Sequence, residues 1–213
     1  MPLFPMFVDM SNKNCLVFGG GAVALRKIKT LLKFGISVHV YAYAYEDELA
    51  AMIHDGTVLC EEVTVHFDGS KLPPVTGMDM VICATNHEVF NHKMAEHCKE
   101  MGIPVNSATS RIDSTFIFPA VTVRGELVIG LSTSGEVPAL TKAVRETVDG
   151  AVPEWYGDLL DGLEAARKQI KKTIGSQKER QKVLKALTAY GIAHQGIIPQ
   201  AVILSEIEKV PAE

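Results

Sequence analysis

Short apolar or β-branched runs alternate with amphipathic stretches through the first half of the chain. CLVFGG (15–20) predicts a strand, and Ala22 to Phe34 predicts a helix ending at Gly35. SVHVYA (37–42) predicts the second strand, followed by an acidic helix from Glu46 to His54 and a third strand at TVLCEEV (57–63). MDMVICAT (78–85) reads as the fourth strand. It leads into a helix from His87 to Met101, stopped by Gly102, and then into a fifth strand at IPVNSA (103–108). Near-continuous apolar strands separated by helices predict an α/β fold with a parallel sheet covered on both faces.

The rhythm changes after residue 113. FIFPAVTV (116–123) and ELVIGLSTS (126–134) flank Arg124-Gly125 with no helix between them, which predicts an antiparallel hairpin. From Glu136 onward the chain reads as helical. Leu160, Leu163, Ile170 and Ile174 keep helical spacing, as do Val183, Leu184 and Leu187, then Ala201, Leu204 and Ile207. The charged run KQIKKTIGSQKERQK reads as a solvated helix face with a helix–helix turn at Gly175-Ser176. The expected organisation is a nucleotide-fold domain over 1–113, a small strand and helix unit over 114–150, and a helical domain over 151–213.

Composition narrows the class. With 47% hydrophobic and 22% charged residues in 213, the chain is globular and long enough to bury a core. A balance of 21 basic against 25 acidic residues gives −4, which removes a global electrostatic case for nucleic acid or an anionic membrane. Three of the four cysteines sit inside apolar runs and no Cys-x-x-Cys pair occurs, so buried, reduced thiols in a cytosolic protein are expected. The opening MPLFPMFVDM has no positive charge before Lys13 and is broken by Pro2, Pro5 and Asp9, unlike a signal peptide. No run approaches the ~20 apolar residues of a membrane span.

Gly19-Gly20-Gly21-Ala22-Val23-Ala24 follows the first strand and opens the first helix, fitting Gly-x-Gly-x-x-Ala. In a Rossmann-like unit Gly19 allows the tight turn, Gly21 lets the backbone approach a pyrophosphate, and Ala24 lets helix and strand pack closely. The phosphates then sit on free N–H groups at the positive end of the helix. The ribose-binding acid expected at the end of the second strand is missing or displaced. Tyr41-Ala42-Tyr43-Ala44-Tyr45 stands there, with Glu46, Asp47 and Glu48 beyond. No Arg or Lys lies beside them in sequence, which tilts the cofactor toward NAD over NADP. Tyr-x-x-x-Lys, Gly-x-Ser-x-Gly, a Walker loop and His-Glu-x-x-His are all absent from the sequence. His87, His92 and His97 recur every five residues and so face different directions on a helix, which predicts exposed histidines rather than one metal site.

Several of these features fall in one order with others. Phe-Pro-x-Phe-x-x-x (Phe4 to Met10) precedes the glycine turn, and Arg26-Lys27 follows it. Then come Ala84-Thr85-Asn86, Asn106, Phe116-Ile117-x-Pro119-Ala120 and Leu131-Ser132-Thr133-Ser134-Gly135-x-x-Pro138. Over residues 4 to about 150 this resembles the precorrin-2 dehydrogenase family of sirohaem synthesis, including the N-terminal half of the multifunctional sirohaem synthase. The resemblance implies NAD⁺-dependent oxidation of precorrin-2 to sirohydrochlorin by a homodimer; in some relatives the same site then inserts ferrous iron. It implies cofactor contacts at Gly19, Gly21, Ala22, Val23, Tyr43, Ala44, Thr85 and Asn86. It also implies substrate contacts around Asn106, Thr133 and Ser134. Bifunctional relatives carry an Asp three residues after the Asn matching Asn106. Here that position is Thr109, with a carboxylate at Asp113, so the catalytic candidates are Thr109 and Asp113 and weak or absent iron insertion is expected. Val137 also replaces the usual small polar residue before Pro138.

A substrate carrying eight carboxylates calls for a basic pocket, for which Arg111, Arg124, Lys142 and Arg145 are the candidates. Two other readings fit the glycine turn: an NAD-sensing regulatory domain that gates a partner through the helical tail, and an NAD dehydrogenase acting on a small substrate. The regulatory reading does not require the 116–138 segment.

Overall fold

The computed structural model describes residues 3–61 and 65–210. They divide into two compact units, Met1–Pro119 with Ser134–Glu136, and Ala120–Thr133 with Val137–Glu213.

The first unit is built on strands β1 (Asn14–Phe18), β2 (Ser37–Tyr41), β3 (Leu59–Cys60), β4 (Met80–Cys83) and β5 (Val105–Ser107), all parallel in the order β3-β2-β1-β4-β5. Alternation along each strand feeds two cores. Cys15, Val17, Val38, Val40 and Ile82 pack under helices α1 (Ala22–Leu32) and α2 (Asp47–His54), against Ala24, Ile28, Leu31 and Leu49. Leu16, Phe18, Tyr41, Val81, Cys83 and Val105 face helix α3 (Glu88–Glu100), against Phe90, Met94, Ala95 and Cys98. Among the described residues between β3 and β4, no helix covers this second face. Val65, Phe67, Leu72 and Val75 of the irregular connection do so instead.

The third strand is shorter than its apolar run suggests, and positions 62 and 63 of that run lie outside the described residues. Cys15, Cys83 and Cys98 are buried free thiols as expected, whereas Cys60 is exposed because β3 is the edge of the sheet.

The second unit opens with an antiparallel pair, β6 (Ala120–Arg124) and β7 (Leu127–Leu131), joined through Gly125-Glu126 with Gly125 at φ +55°. This is the hairpin expected there, with its first strand starting four residues later than the apolar run. Four helices follow: α4 (Pro138–Ala151), α5 (Trp155–Thr173), α6 (Gln177–Ala193) and α7 (Gln200–Glu208). Ala166, Ile170, Ile174, Val183, Leu187 and Ile203 form their core. Three of the positions that keep helical spacing are displaced by one residue, and at one of them Ala201 is exposed while Val202 packs against the core. Leu159 is buried rather than Leu160, and Ile203 rather than Leu204. Each error falls on an adjacent apolar pair, where two phases about 100° apart score alike in sequence and packing decides.

Candidate active site

The carboxyl ends of β1 and β4 lie side by side where the strand order reverses, the position at which open parallel sheets form a ligand crevice. The turn after β1 is threaded tightly through this edge. Gly19 has φ +116° and donates its N–H to the Tyr41 carbonyl at 2.8 Å; a Cβ there would run into the Ala84 carbonyl. A Cβ on Gly20 would run into the Ala44 carbonyl, and the Gly20 carbonyl itself accepts Glu46 N–H at 2.9 Å. Gly20 occupies a variable place in the glycine motif, so only the close backbone approach shows that it must be glycine.

Gly21 differs from both. Its backbone is extended, and a Cβ would meet nothing within 4 Å. It is the N-cap of α1, makes no side-chain cap, and has no acid in the turn that follows. The helix therefore begins with N–H groups that no side chain among the described residues satisfies, beside open space, with Ala22 and Val23 exposed. That is the donor set a pyrophosphate requires.

After β2, Tyr43 is exposed except at its hydroxyl, which donates to the Val65 carbonyl at 2.7 Å, and its ring meets Phe67 edge-on. Phe67 in turn stacks on His87 at 4.6 Å between centroids. Ala44 contributes its backbone carbonyl against Gly20. After β4, Thr85 is buried. Its hydroxyl donates to Asn91 Oδ1 at 2.7 Å and accepts His87 N–H at 3.1 Å, while Asn86 is exposed. Thr109, exposed after β5, accepts from Asn91 Nδ2 at 3.2 Å and meets Ser107 Oγ at 3.2 Å.

Asn106 has both ends of its amide engaged inside the unit. Oδ1 accepts from Lys27 Nζ at 2.8 Å, and Nδ2 donates to the Phe116 carbonyl at 3.1 Å. Lys27 is itself 9% exposed and sits 4.3 Å over the Phe118 ring. Burial, with help from the neighbouring Arg26 charge, lowers its pKa to about 8. Asp113 is buried and pairs with His92 Nδ1 at 2.8 Å. Burial pushes its carboxyl up, but the hydrogen bonds from His92 and Ser110 outweigh that and hold it below the usual range. His92 is thus not simply an exposed helix histidine.

A family model described as "Putative NAD(P)-binding" matches residues 6–120. The chain belongs to that family. Among curated relatives, the siroheme synthase of Psychrobacter sp. (strain PRwf-1) is 32% identical over 174 residues, covering 82% of this chain and 35% of that protein. The siroheme synthase of Vesicomyosocius okutanii subsp. Calyptogena okutanii (strain HA) is 29% identical over all 213 residues, covering 43% of that protein. The chain thus spans less than half the length of these relatives. A solved structure titled "SirC, precorrin-2 dehydrogenase" shares the fold, with TM-score 0.70 and 24% identity over 98% of this chain and all of that one.

The region matched by the NAD(P)-binding family stops at residue 120, and most of the basic candidates lie beyond it. Arg124 is a structural clamp: it donates to the Val152 carbonyl at 2.9 Å and pairs with Asp149 at 3.3 Å and Glu154 at 3.1 Å. Arg145 pairs with Asp149 at 3.2 Å, and Lys142 with Glu146 at 3.9 Å. Arg111, in the first unit, forms an exposed pair with Glu136 at 3.2 Å. Thr133 belongs to the second unit, where its hydroxyl accepts Val137 N–H at 3.3 Å and meets Thr141 Oγ1 at 2.8 Å at the start of α4. Ser134, with φ +57°, and Gly135, with φ +82°, belong with Glu136 to the first unit.

Sequence reasoning missed Gly20, Asn91 and the role of Lys27. The available signal for the last two was a polar residue sharing a helix face with apolar ones, Lys27 with Ala24 and Leu31, and Asn91 with Met94 and Ala95.

Proposed function

We propose that this chain is an NAD⁺-dependent dehydrogenase that oxidises precorrin-2 to sirohydrochlorin. The observation that carries the reading is the uncapped N-terminus of α1, beside open space at Gly21, at the switch point of the sheet. The curated relatives named siroheme synthase and the fold neighbour titled precorrin-2 dehydrogenase support the substrate.

Gly21, Ala22 and Val23 hold the pyrophosphate through backbone N–H groups, Gly19, whose own N–H is bonded to the Tyr41 carbonyl, shapes the turn that brings them there, and Tyr43 and Ala44 border the adenosine. Glu46, Asp47 and Glu48 disfavour a 2′-phosphate, and Lys29 on α1 is already paired with Glu48 at 2.5 Å. When bound, NAD⁺ supplies the hydride acceptor; one further proton leaves the macrocycle. Extended conjugation in the product drives the step, so the protein's work is placement rather than strong base catalysis. Asp113, held ionised by His92, is a weak base in keeping with that.

Thr109 lines the site beside Asn86, and Arg111 receives a substrate carboxylate by exchanging it for Glu136. Ser134, in the same unit as Arg111, adds a further substrate contact. Iron insertion, which needs a carboxylate as base and oxygen ligand, is weak with a neutral hydroxyl at Thr109.

The active form is a homodimer. Helix α4 is amphipathic yet has no buried residue, and Val137, Leu140 and Val144 leave an apolar stripe exposed beside a two-stranded sheet that is marginal alone. Sedimentation showing only monomer at micromolar concentration overturns the dimer. Incubation with precorrin-2 and NAD⁺ tests the activity: the macrocycle spectrum shifts to that of sirohydrochlorin as NADH forms, and no NADH formation refutes the reading.

A further inference from the structure

Asn91 sits in α3 beside Phe90 and one turn from Met94 and Ala95, with no exposed surface. A primary amide buried among apolar side chains is tolerated only when its polar atoms are bonded. Its oxygen accepts the Thr85 hydroxyl at 2.7 Å. Its nitrogen donates to the Thr85 carbonyl at 2.9 Å and to the Thr109 hydroxyl at 3.2 Å. Thr85 follows β4 and Thr109 follows β5, so one side chain ties together the carboxyl ends of two neighbouring strands.

The bond to the Thr85 carbonyl has a directional consequence. No peptide bond among the described residues is cis, and a trans peptide sets its C=O and N–H on opposite sides. With the Thr85 carbonyl drawn inward to Asn91, the N–H of the exposed Asn86 is turned outward at the end of β4. In this fold the pyrophosphate occupies the start of α1 and the adenosine half the end of β2. The β4–β5 edge is left for the other half of a dinucleotide.

We propose that Asn91 is a positioning residue: it presents the Asn86 N–H to the nicotinamide half of the cofactor and holds Thr109 in register with it. The proposal rests on the dinucleotide reading above. Asn91 touches neither cofactor nor substrate; it acts through the Thr85 peptide and the Thr109 hydroxyl.

Two variants test it. Asn91→Leu keeps the branched shape at a larger volume and removes all three bonds; Asn91→Asp keeps the shape, the volume and the acceptor, loses both donations, and serves if the leucine variant does not fold. NAD⁺ and ADP are titrated calorimetrically into the purified full chain, and the Asn86 amide is followed by ¹⁵N spectroscopy. ADP carries the adenosine and pyrophosphate but lacks the far half, so it separates local positioning from general damage. The expected result is NAD⁺ binding weaker by about tenfold in the variants, the effect of one lost or misdirected hydrogen bond, with ADP binding within about twofold of wild type. The wild-type Asn86 amide should shift with NAD⁺ and not with ADP. Unchanged NAD⁺ affinity in the variants, an equal loss of ADP affinity, or an Asn86 amide unmoved by NAD⁺ overturns the proposal. Absence of NAD⁺ binding to the wild type refutes the dinucleotide reading and this proposal together; wild-type binding with unaffected variants refutes this proposal alone.

Discussion

Replacing Lys27 with methionine isolates the cost of a buried charge inside the sheet unit. Lys27 is 9% exposed, has Asn106 Oδ1 at 2.8 Å, and has no ion-pair partner among the described residues. Burial and the Arg26 charge lower its pKa from 10.5 to about 8. Cys15, the other titratable group beside it, is pushed up to about 12 by its own burial and stays neutral through this range. Below the folded value Lys27 is charged in both states; above the unfolded value it is neutral in both. Between them the unfolded chain binds the extra proton, so unfolding free energy rises with pH, by ~3 kcal/mol in full. About 2 kcal/mol of that rise falls between about pH 7.5 and 9.5.

Methionine removes the titration and fills a similar volume. It also strands Asn106 Oδ1, which costs roughly 1–3 kcal/mol and offsets the relief of the buried charge near neutrality. The expected outcome of urea unfolding followed by circular dichroism is a variant within about 1 kcal/mol of wild type at about pH 7.5, and less stable than wild type at about pH 9.5. Trp155, the single tryptophan, reports the helical unit separately by fluorescence. Wild type and Lys27→Met moving in parallel with pH would refute the reasoning.

Gly20→Ala places a Cβ on the Ala44 carbonyl, so it should cost roughly 1–3 kcal/mol by urea unfolding and weaken NAD⁺ binding as the loop after β2 shifts. Gly21→Asp meets open space and should fold normally, yet lose NAD⁺ affinity because it puts an anion at the phosphate position; unchanged affinity in the folded variant removes the glycine turn from the site. Thr109→Asp should raise Fe²⁺ insertion into sirohydrochlorin over an enzyme-free control. Asp113→Ala should leave the slow wild-type insertion unchanged, because that carboxyl is engaged by His92; rapid wild-type insertion abolished by Asp113→Ala would assign Asp113 the role. Ile170→Ala, at a fully buried position of the helical core, should cost about 2–5 kcal/mol, read from Trp155 fluorescence.

The alternation of apolar strands and helices made the parallel sheet legible, because the central strands β1 and β4 are buried on both faces and leave near-continuous apolar runs. The hairpin was legible from Arg124-Gly125, and the tight turn after β1 from Gly19. Partners distant in sequence were not. Lys27 meets Asn106 across 79 residues, and His92 meets Asp113 across 21; nothing in local periodicity encodes either pairing. The conformation of the glycine turn likewise depends on the Ala44 and Ala84 carbonyls, which chain folding brings against it. The same reason hid the engagement of Asn106 and Thr85, whose hydrogen-bonding groups read as available in sequence and are occupied in the fold.

The most direct measurement of the proposed chemistry is a stoichiometric turnover of precorrin-2 with NAD⁺ by the purified full chain, following NADH and the macrocycle spectrum together. The expected result is one NADH formed for each macrocycle oxidised, none formed by folded Gly21→Asp, and NAD⁺ preferred over NADP⁺. A wild-type chain that binds NAD⁺ yet leaves precorrin-2 unchanged would contradict it.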